Sequence, residues 1–373
     1  MTAAVKIIKS TQTNAPQITG LANSLNPVLY AALCTGFNSV TLTSLTVSSN
    51  IATGTTASPH GFGVNDTVQI SGANQSVFNN DFEIDSVPTT TSFTFPLITN
   101  TATATGTITC KISPLGWNRP DSSGNLSIYQ SADVLSSKCF FKIDDSAGVT
   151  AALTAYEYMS SVNSGSGASP TVYINKSSAA SSATRAWIII GNSKCFYLFI
   201  ERNASYPNYE ISFIGDINSL IPNDPWRFAI GACSVNSSYN GVGNASVGMN
   251  TSNATVTGNY LMRAAHGFGG SVSFGIQTAV PMTRMGYVGL STAYPSLVDH
   301  CVHLLPCYNF EYYSSSYYLR GIQPGLYPTV ETVGWAYTNL DRSLVFNGRV
   351  YVPIRLAYTA TGGCTYLDAT GPW

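Results

Sequence analysis

Histidine is the scarcest reactive residue in this chain, with four copies, and two of them have suggestive neighbours. His300 follows Asp299, and His303 lies between Cys301 and Cys307. A Ser or Cys nucleophile needs a histidine base within hydrogen-bond reach and a sharp turn to present it. No Gly-x-Ser-x-Gly elbow occurs, and Asp299-His300 stands beside apolar strand-like residues, the setting of a structural histidine. Cys301, His303 and Cys307 could begin a zinc site, but no fourth ligand follows at a recognisable spacing. Glycoside hydrolysis requires two opposed carboxylates, for which Asp144-Asp145, Glu157 and Asp216 are the candidates. Asp144-Asp145 falls in an expected hairpin turn and Asp216 follows a strand end, so these acids read as structural. No GxxxxGK[ST] loop is present to cradle a phosphate. The expectation is a non-enzymatic protein with no catalytic residue, no metal and no cofactor.

The stronger signal is aromatic. Tyr308, Phe310, Tyr312, Tyr313, Tyr317 and Tyr318 bring six aromatics into one short stretch around Ser314-Ser315-Ser316. Tyrosine supplies contact area at low entropic cost and serine adapts its hydrogen bonds, a composition typical of binding surfaces. Tyrosine faces also stack on sugars. Two strands whose tyrosines alternate between core and solvent would give the same string, so an interface or glycan contact and a plain hairpin both fit.

The elements that must hold these residues are nearly all strands. One short helix is expected, with Asn26 as its cap, Pro27 at the first helical position and Gly36 as the stop. Val28, Leu29, Ala32 and Leu33 would form its apolar face. Hairpins follow: Cys139–Ile143 turns through Asp144–Gly148 into Val149–Met159, and Trp187–Ile190 turns through Gly191–Lys194 into Cys195–Ile200. Leu344–Phe346 turns at Asn347-Gly348 into Arg349–Ala357, where Asn-Gly suits a type I′ turn because both central residues need φ > 0. The unbroken apolar run Phe196–Ile200 belongs in the middle of a sandwich, covered on both faces. Two low-complexity stretches, Ser160–Thr184 and Asn236–Asn259, are expected as long Ser/Asn/Gly loops, either plain surface loops or arms that order on assembly. His-Gly-Phe-Gly occurs at His60–Gly63 and His266–Gly269, but the flanks differ and no duplication follows.

Composition narrows the function further. The chain has 373 residues, 44% of them hydrophobic, and only 9% charged, against about 25% in ordinary soluble domains. Ser, Thr, Asn and Gly replace Lys and Glu, and neutral hydroxyls and amides are cheap to bury once hydrogen-bonded. Such a surface suits a subunit packed against copies of itself or other partners. With 17 basic and 18 acidic side chains and no basic run, nucleic-acid binding is not expected. The N-terminal stretch lacks the apolar core of a signal peptide, and no apolar run reaches the roughly 20 residues of a membrane span. The expected product stays in the cytoplasm of its producer or leaves by lysis. Eight cysteines without a CxxC pair read as buried free thiols before a disulfide framework.

Ser58–Phe95 reads as a small, complete β module. Thr67–Ile70 and Phe82–Ile84 alternate polar with apolar, and Gly61, Gly63, Gly72 and Pro88 stand at the breaks. The series His60–Phe62, Val64–Val68, Ile70–Ala73, Phe78–Phe82 and Ser92–Phe95 resembles the small accessory β domains, Ig-like in size, of structural proteins of tailed bacteriophages. Thr184–Gly191 with Cys195–Phe199, Ser212–Ile217, Arg320–Pro328 and Asp368–Trp373 are similar to segments of virion proteins of the same phages. The resemblance implies a structural subunit of the virion, tail or baseplate associated, partnered by copies of itself and by other virion proteins. Alternatives are a module binding a host-surface receptor or glycan, a head or neck decoration protein, and a polysaccharide depolymerase. The expected architecture is mainly β: a β-sandwich-like host domain with an inserted small β domain and one short N-terminal helix. Residues 1–42 begin the host domain, 43–111 form the insert, and 112–373 form the main sandwich.

Overall fold

Polar–apolar alternation becomes antiparallel strand pairing along most of the chain. The computed structural model describes residues 5–99, 102–203, 206–232, 258–267, 269–278, 304, 306–314, 316–328, 344–346, 348–355 and 364–373. Among them the fold is mainly β and sandwich-like, with one short α-helix, as expected. No helix of the described residues is long and apolar enough to cross a membrane.

The central layer is a ten-stranded sheet. Its order is Lys6–Lys9, Trp187–Gly191, Cys195–Asn203, Tyr206–Asp216, Phe228–Gly231, Asn259–Leu261, Val272–Thr278, Cys307–Tyr313, Ser316–Ile322 and Asn218–Ser219. Successive side chains of a strand point to opposite faces, and here both faces are covered. Phe196, Leu198 and Ile200 join one core with Trp187, Ile189 and Ile214. Cys195, Tyr197 and Phe199 join a second core with Ile188, Ile190 and Phe213. That double cover explains the unbroken apolar run, since each buried side chain of this size contributes about 1.5–3 kcal/mol. A four-stranded sheet, ordered Leu326–Pro328, Cys364–Asp368, Arg349–Arg355 and Leu344–Phe346, adds Leu326 and Leu367 to the second core. Its Asn-Gly hairpin forms as expected, with Phe346 paired to Arg349 and Gly348 at φ +72°.

The first core is closed by a six-stranded sheet built from Trp117–Ser123, Leu126–Ser131, Phe140–Asp144, Thr150–Ser161, Ser164–Ala168 and Val172–Asn175. The last two strands correct the expectation of a long loop over Ser160–Thr184. Ser164–Ala168 is exposed at every position and is held by backbone pairing to the strand before it, so it carries no apolar signal. Val172 and Ile174 are buried where their strand pairs with Thr150–Leu153. Of the second expected loop, residues 236–257 lie outside the described residues, and Asn259 begins a strand.

The helix spans Leu25–Tyr30 and continues as a wider π turn over Ala31–Thr35 to Gly36, which lies at φ +70°. Val28, Leu29, Ala32 and Leu33 are fully buried, as the pattern predicts. The cap differs from expectation. Asn26 is inside the helix, where its side-chain amide donates to the Asn125 carbonyl at 2.6 Å. Asp145, far away in sequence, takes the N–H groups of Leu25 and Asn26 at 2.7 and 3.2 Å.

Ser58–Phe95 is not closed by itself. Its strands belong to a seven-stranded sheet ordered Asp81–Glu83, Thr67–Ala73, Gly106–Ile112, Phe37–Ser48, Ile51–Thr56, Ser92–Pro96 and Ser86–Thr89. Phe37–Ser48 and Gly106–Ile112 join its two halves, and the sheet curls until Phe82 near one edge stacks on Phe95 near the other at 4.4 Å. Gly72 sits at φ +86°, where an added Cβ would lie 2.1 Å from the Thr107 carbonyl oxygen. Phe78, Phe93 and Phe95 belong to the same buried cluster as Trp117 and Phe141. The sheet's core is therefore continuous with that of the sandwich.

Candidate functional site

The aromatic run forms the paired strands Cys307–Tyr313 and Ser316–Ile322. Phe310 faces Leu319, Glu311 faces Tyr318, Tyr312 faces Tyr317 and Tyr313 faces Ser316. Cys307, Asn309 and Glu311 are buried, while Tyr308, Phe310 and Tyr312 alternate with them and are half-buried on the other face. Tyr318 and Leu319 are 48% and 47% exposed. The structure thus brings Tyr308, Phe310 and Tyr312 onto one face, leaves Tyr318 in solvent, and places Tyr313 and Tyr317 in the paired strands around the turn. The face is neither a core nor fully solvated.

A buried charge cluster ties this hairpin to the rest of the fold. The register slips between the Asn309–Gly321 and Phe310–Leu319 pairs, leaving Arg320 as the extra residue of a bulge. Arg320 is fully buried. Its Nε and Nη2 donate to the two Asp224 carboxylate oxygens at 2.9 Å each, and Nη1 donates to Glu311 at 2.8 Å. Glu311 also accepts the Ala265 N–H at 2.9 Å. The planar guanidinium can hold two carboxylates at once in this way. A lone arginine and a lone glutamate on adjoining aromatic strands were the only signal available.

The carboxylates considered for catalysis each have a partner of their own. Asp216 accepts from the Ser137 hydroxyl at 2.5 Å, the Ser137 N–H at 2.8 Å and Arg227 Nε at 3.0 Å, and burial raises its pKa. Glu157 is gripped by Arg263 Nε and Nη2 at 2.5 and 2.7 Å, and that guanidinium lies 4.2 Å over the Trp226 ring. Asp144 accepts the Ser146 N–H at 3.1 Å. Asp145 meets Lys176 in a pair whose side chains are both fully buried. A cleft of about 310 Å³ beside Asp216 is lined by Asn192, Lys194 and Trp373 among others. Its cysteine, Cys195, is buried, and burial raises the thiol pKa far above its ordinary value.

His60 is a core residue. Its Nδ1 accepts the Phe62 N–H at 3.0 Å, and its ring packs 5.3 Å from both Phe62 and Phe93. Asp299, His300, Cys301 and His303 lie outside the described residues. Cys307 is buried, and among the described residues no three His, Cys, Asp or Glu side chains gather as metal ligands. Cys34, Cys110, Cys139, Cys195 and Cys307 are free thiols. Burial pushes Cys34 and Cys139 up to about 12. Neither the family models nor the curated proteins compared with the chain include a match.

The ion pairs change what the composition means. At least six of the 17 cations and seven of the 18 acids are spent on one another. In most of these pairs one or both side chains are buried. A chain already poor in charge has at least eight charged side chains buried.

Proposed function

We propose that this chain is a non-enzymatic structural subunit of a tailed-bacteriophage virion, associated with the tail or baseplate. It would assemble with copies of itself and with other virion proteins through a charge-poor surface. The scarcity of charge, together with the burial of at least eight of the charged side chains in the fold, is the observation that carries this reading. It leaves an exterior of hydroxyls, amides and scattered apolar side chains, among them Ile98, Val134 and Val345 at 85%, 84% and 72% exposed. Closing an interface over such a surface strips few charges of water. A mass-spectrometric inventory of purified particles should contain the chain in several copies, and an inventory without it would end the proposal.

A second reading is favoured by the half-buried face of Tyr308, Phe310 and Tyr312, which offers stacking surface to a host-surface receptor or glycan. Under that reading Tyr308→Ala with Tyr312→Ala abolishes adsorption while particles still assemble. Loss of assembly instead assigns the hairpin to a subunit interface.

A further inference from the structure

Asp145 and Lys176 come from different elements. Asp145 leaves the end of Phe140–Asp144, and Lys176 follows Val172–Asn175. Both side chains are fully buried and in direct contact, Nζ against Oδ1. The remaining polar contacts sort themselves in a particular way. Asp145 Oδ2 accepts the N–H groups of Leu25 and Asn26 at 2.7 and 3.2 Å. Lys176 Nζ donates to the carbonyls of Leu21 and Ala147 at 2.8 and 3.0 Å. A neutral amine has two N–H bonds, and these two carbonyls use both. Its lone pair is then left facing the Asp145 carboxyl. Burial raises the Asp145 pKa and lowers that of Lys176, so both groups are driven towards their uncharged forms. An enclosed ion pair gives up hydration that its mutual attraction only partly returns.

From this geometry we propose that Lys176 and Asp145 join in an intramolecular amide, an isopeptide cross-link formed without a cofactor. The Nζ lone pair attacks Asp145 Cγ. Charge gathers on Oδ2, where the two backbone N–H groups already point, as in an oxyanion hole. One Nζ proton passes to the Oδ1 hydroxyl, the Cγ–Oδ1 bond breaks, and water departs with both protons. The Nζ–Cγ bond is all that is added, and no oxidant or reductant takes part. Oδ2 of the product keeps its two N–H donors, and the remaining amide N–H stays on one of the two carbonyls. A buried amine and a buried carboxyl group are exchanged for a hydrogen-bonded amide. The cross-link fastens together the Asp144–Gly148 turn, the strand ending at Asn175 and the start of the helix. This inference is independent of the virion reading and of any partner.

The test is the intact mass of the soluble, folded protein measured under denaturing conditions. The native chain should be lighter than its sequence by the mass of one water. A tryptic digest should give a branched peptide joining the Asp145 and Lys176 segments, uncut after Lys176. Lys176→Arg keeps a cation opposite Asp145 but lacks the nucleophile, and should have the full sequence mass. A native chain of full mass that releases a peptide ending at Lys176 overturns the proposal, as does a mass deficit that persists in Lys176→Arg.

Discussion

Arg320 is the residue on which the candidate site most depends, because one buried cation serves two buried carboxylates. Removing one partner of such a group leaves uncompensated charge in a dry interior, which costs about 3–5 kcal/mol. Arg320→Met should lower stability to urea by that order. The triple change Arg320→Met, Asp224→Asn and Glu311→Gln should lose clearly less, since no naked charge remains. The buried thiols make a separate prediction about pH. The Cys139 thiol is pushed up to about 12, chiefly by burial, whereas an unfolded thiol titrates near about 8.5. Below that lower value both states hold the proton and nothing is lost. Above it the unfolded chain releases a proton that the folded chain keeps, so stability falls as pH rises towards about 12. Melting temperatures measured from neutral to alkaline pH should therefore decline, and Cys139→Ala should make the decline shallower.

Elements were legible in the sequence where a strand carries its own apolar pattern. The Trp187–Gly191 and Cys195–Asn203 pair, the Leu344–Phe346 hairpin and the buried face of the helix all announce themselves, because local pattern and tertiary burial agree. Ser164–Ala168 does not. An exposed edge strand of serine and glycine is specified by its neighbour's backbone and not by its own side chains. The helix cap is not legible locally for a related reason: the acceptor is supplied by Asp145, which no local window around Asn26 contains. Of the candidate site, the tyrosine strands could be read, but the Arg320–Asp224–Glu311 cluster could not, since its members meet only through the fold. The Ser58–Phe95 segment has the pattern of a complete module, yet Thr67–Ala73 and Ser92–Pro96 are joined in the sheet through Gly106–Ile112, Phe37–Ser48 and Ile51–Thr56. A peptide of residues 58–95 alone should be unfolded by circular dichroism and show no dispersed amide spectrum. A folded peptide would mean that the bridging strands are dispensable.

At the scale of the molecule, two cores on either side of one long sheet hold the fold, and the seven-stranded sheet shares the first of them. Charge is scarce, and at least eight of the charged side chains are buried, so few remain for contacts at the exterior. Assembly through a neutral surface, as proposed for this chain, has a signature in its response to salt. Electrostatic contacts between exposed groups weaken as the screening length shrinks from roughly 10 Å at 0.1 M salt to about 3 Å at 1 M. Contacts made by hydroxyls, amides and apolar groups do not weaken in that way. The direct measurement is sedimentation velocity of the purified chain over that salt range. Assembly through a neutral surface should give an oligomer whose sedimentation coefficient is unchanged from low to high salt. A chain that stays monomeric throughout, or an oligomer that dissociates as salt rises, contradicts it.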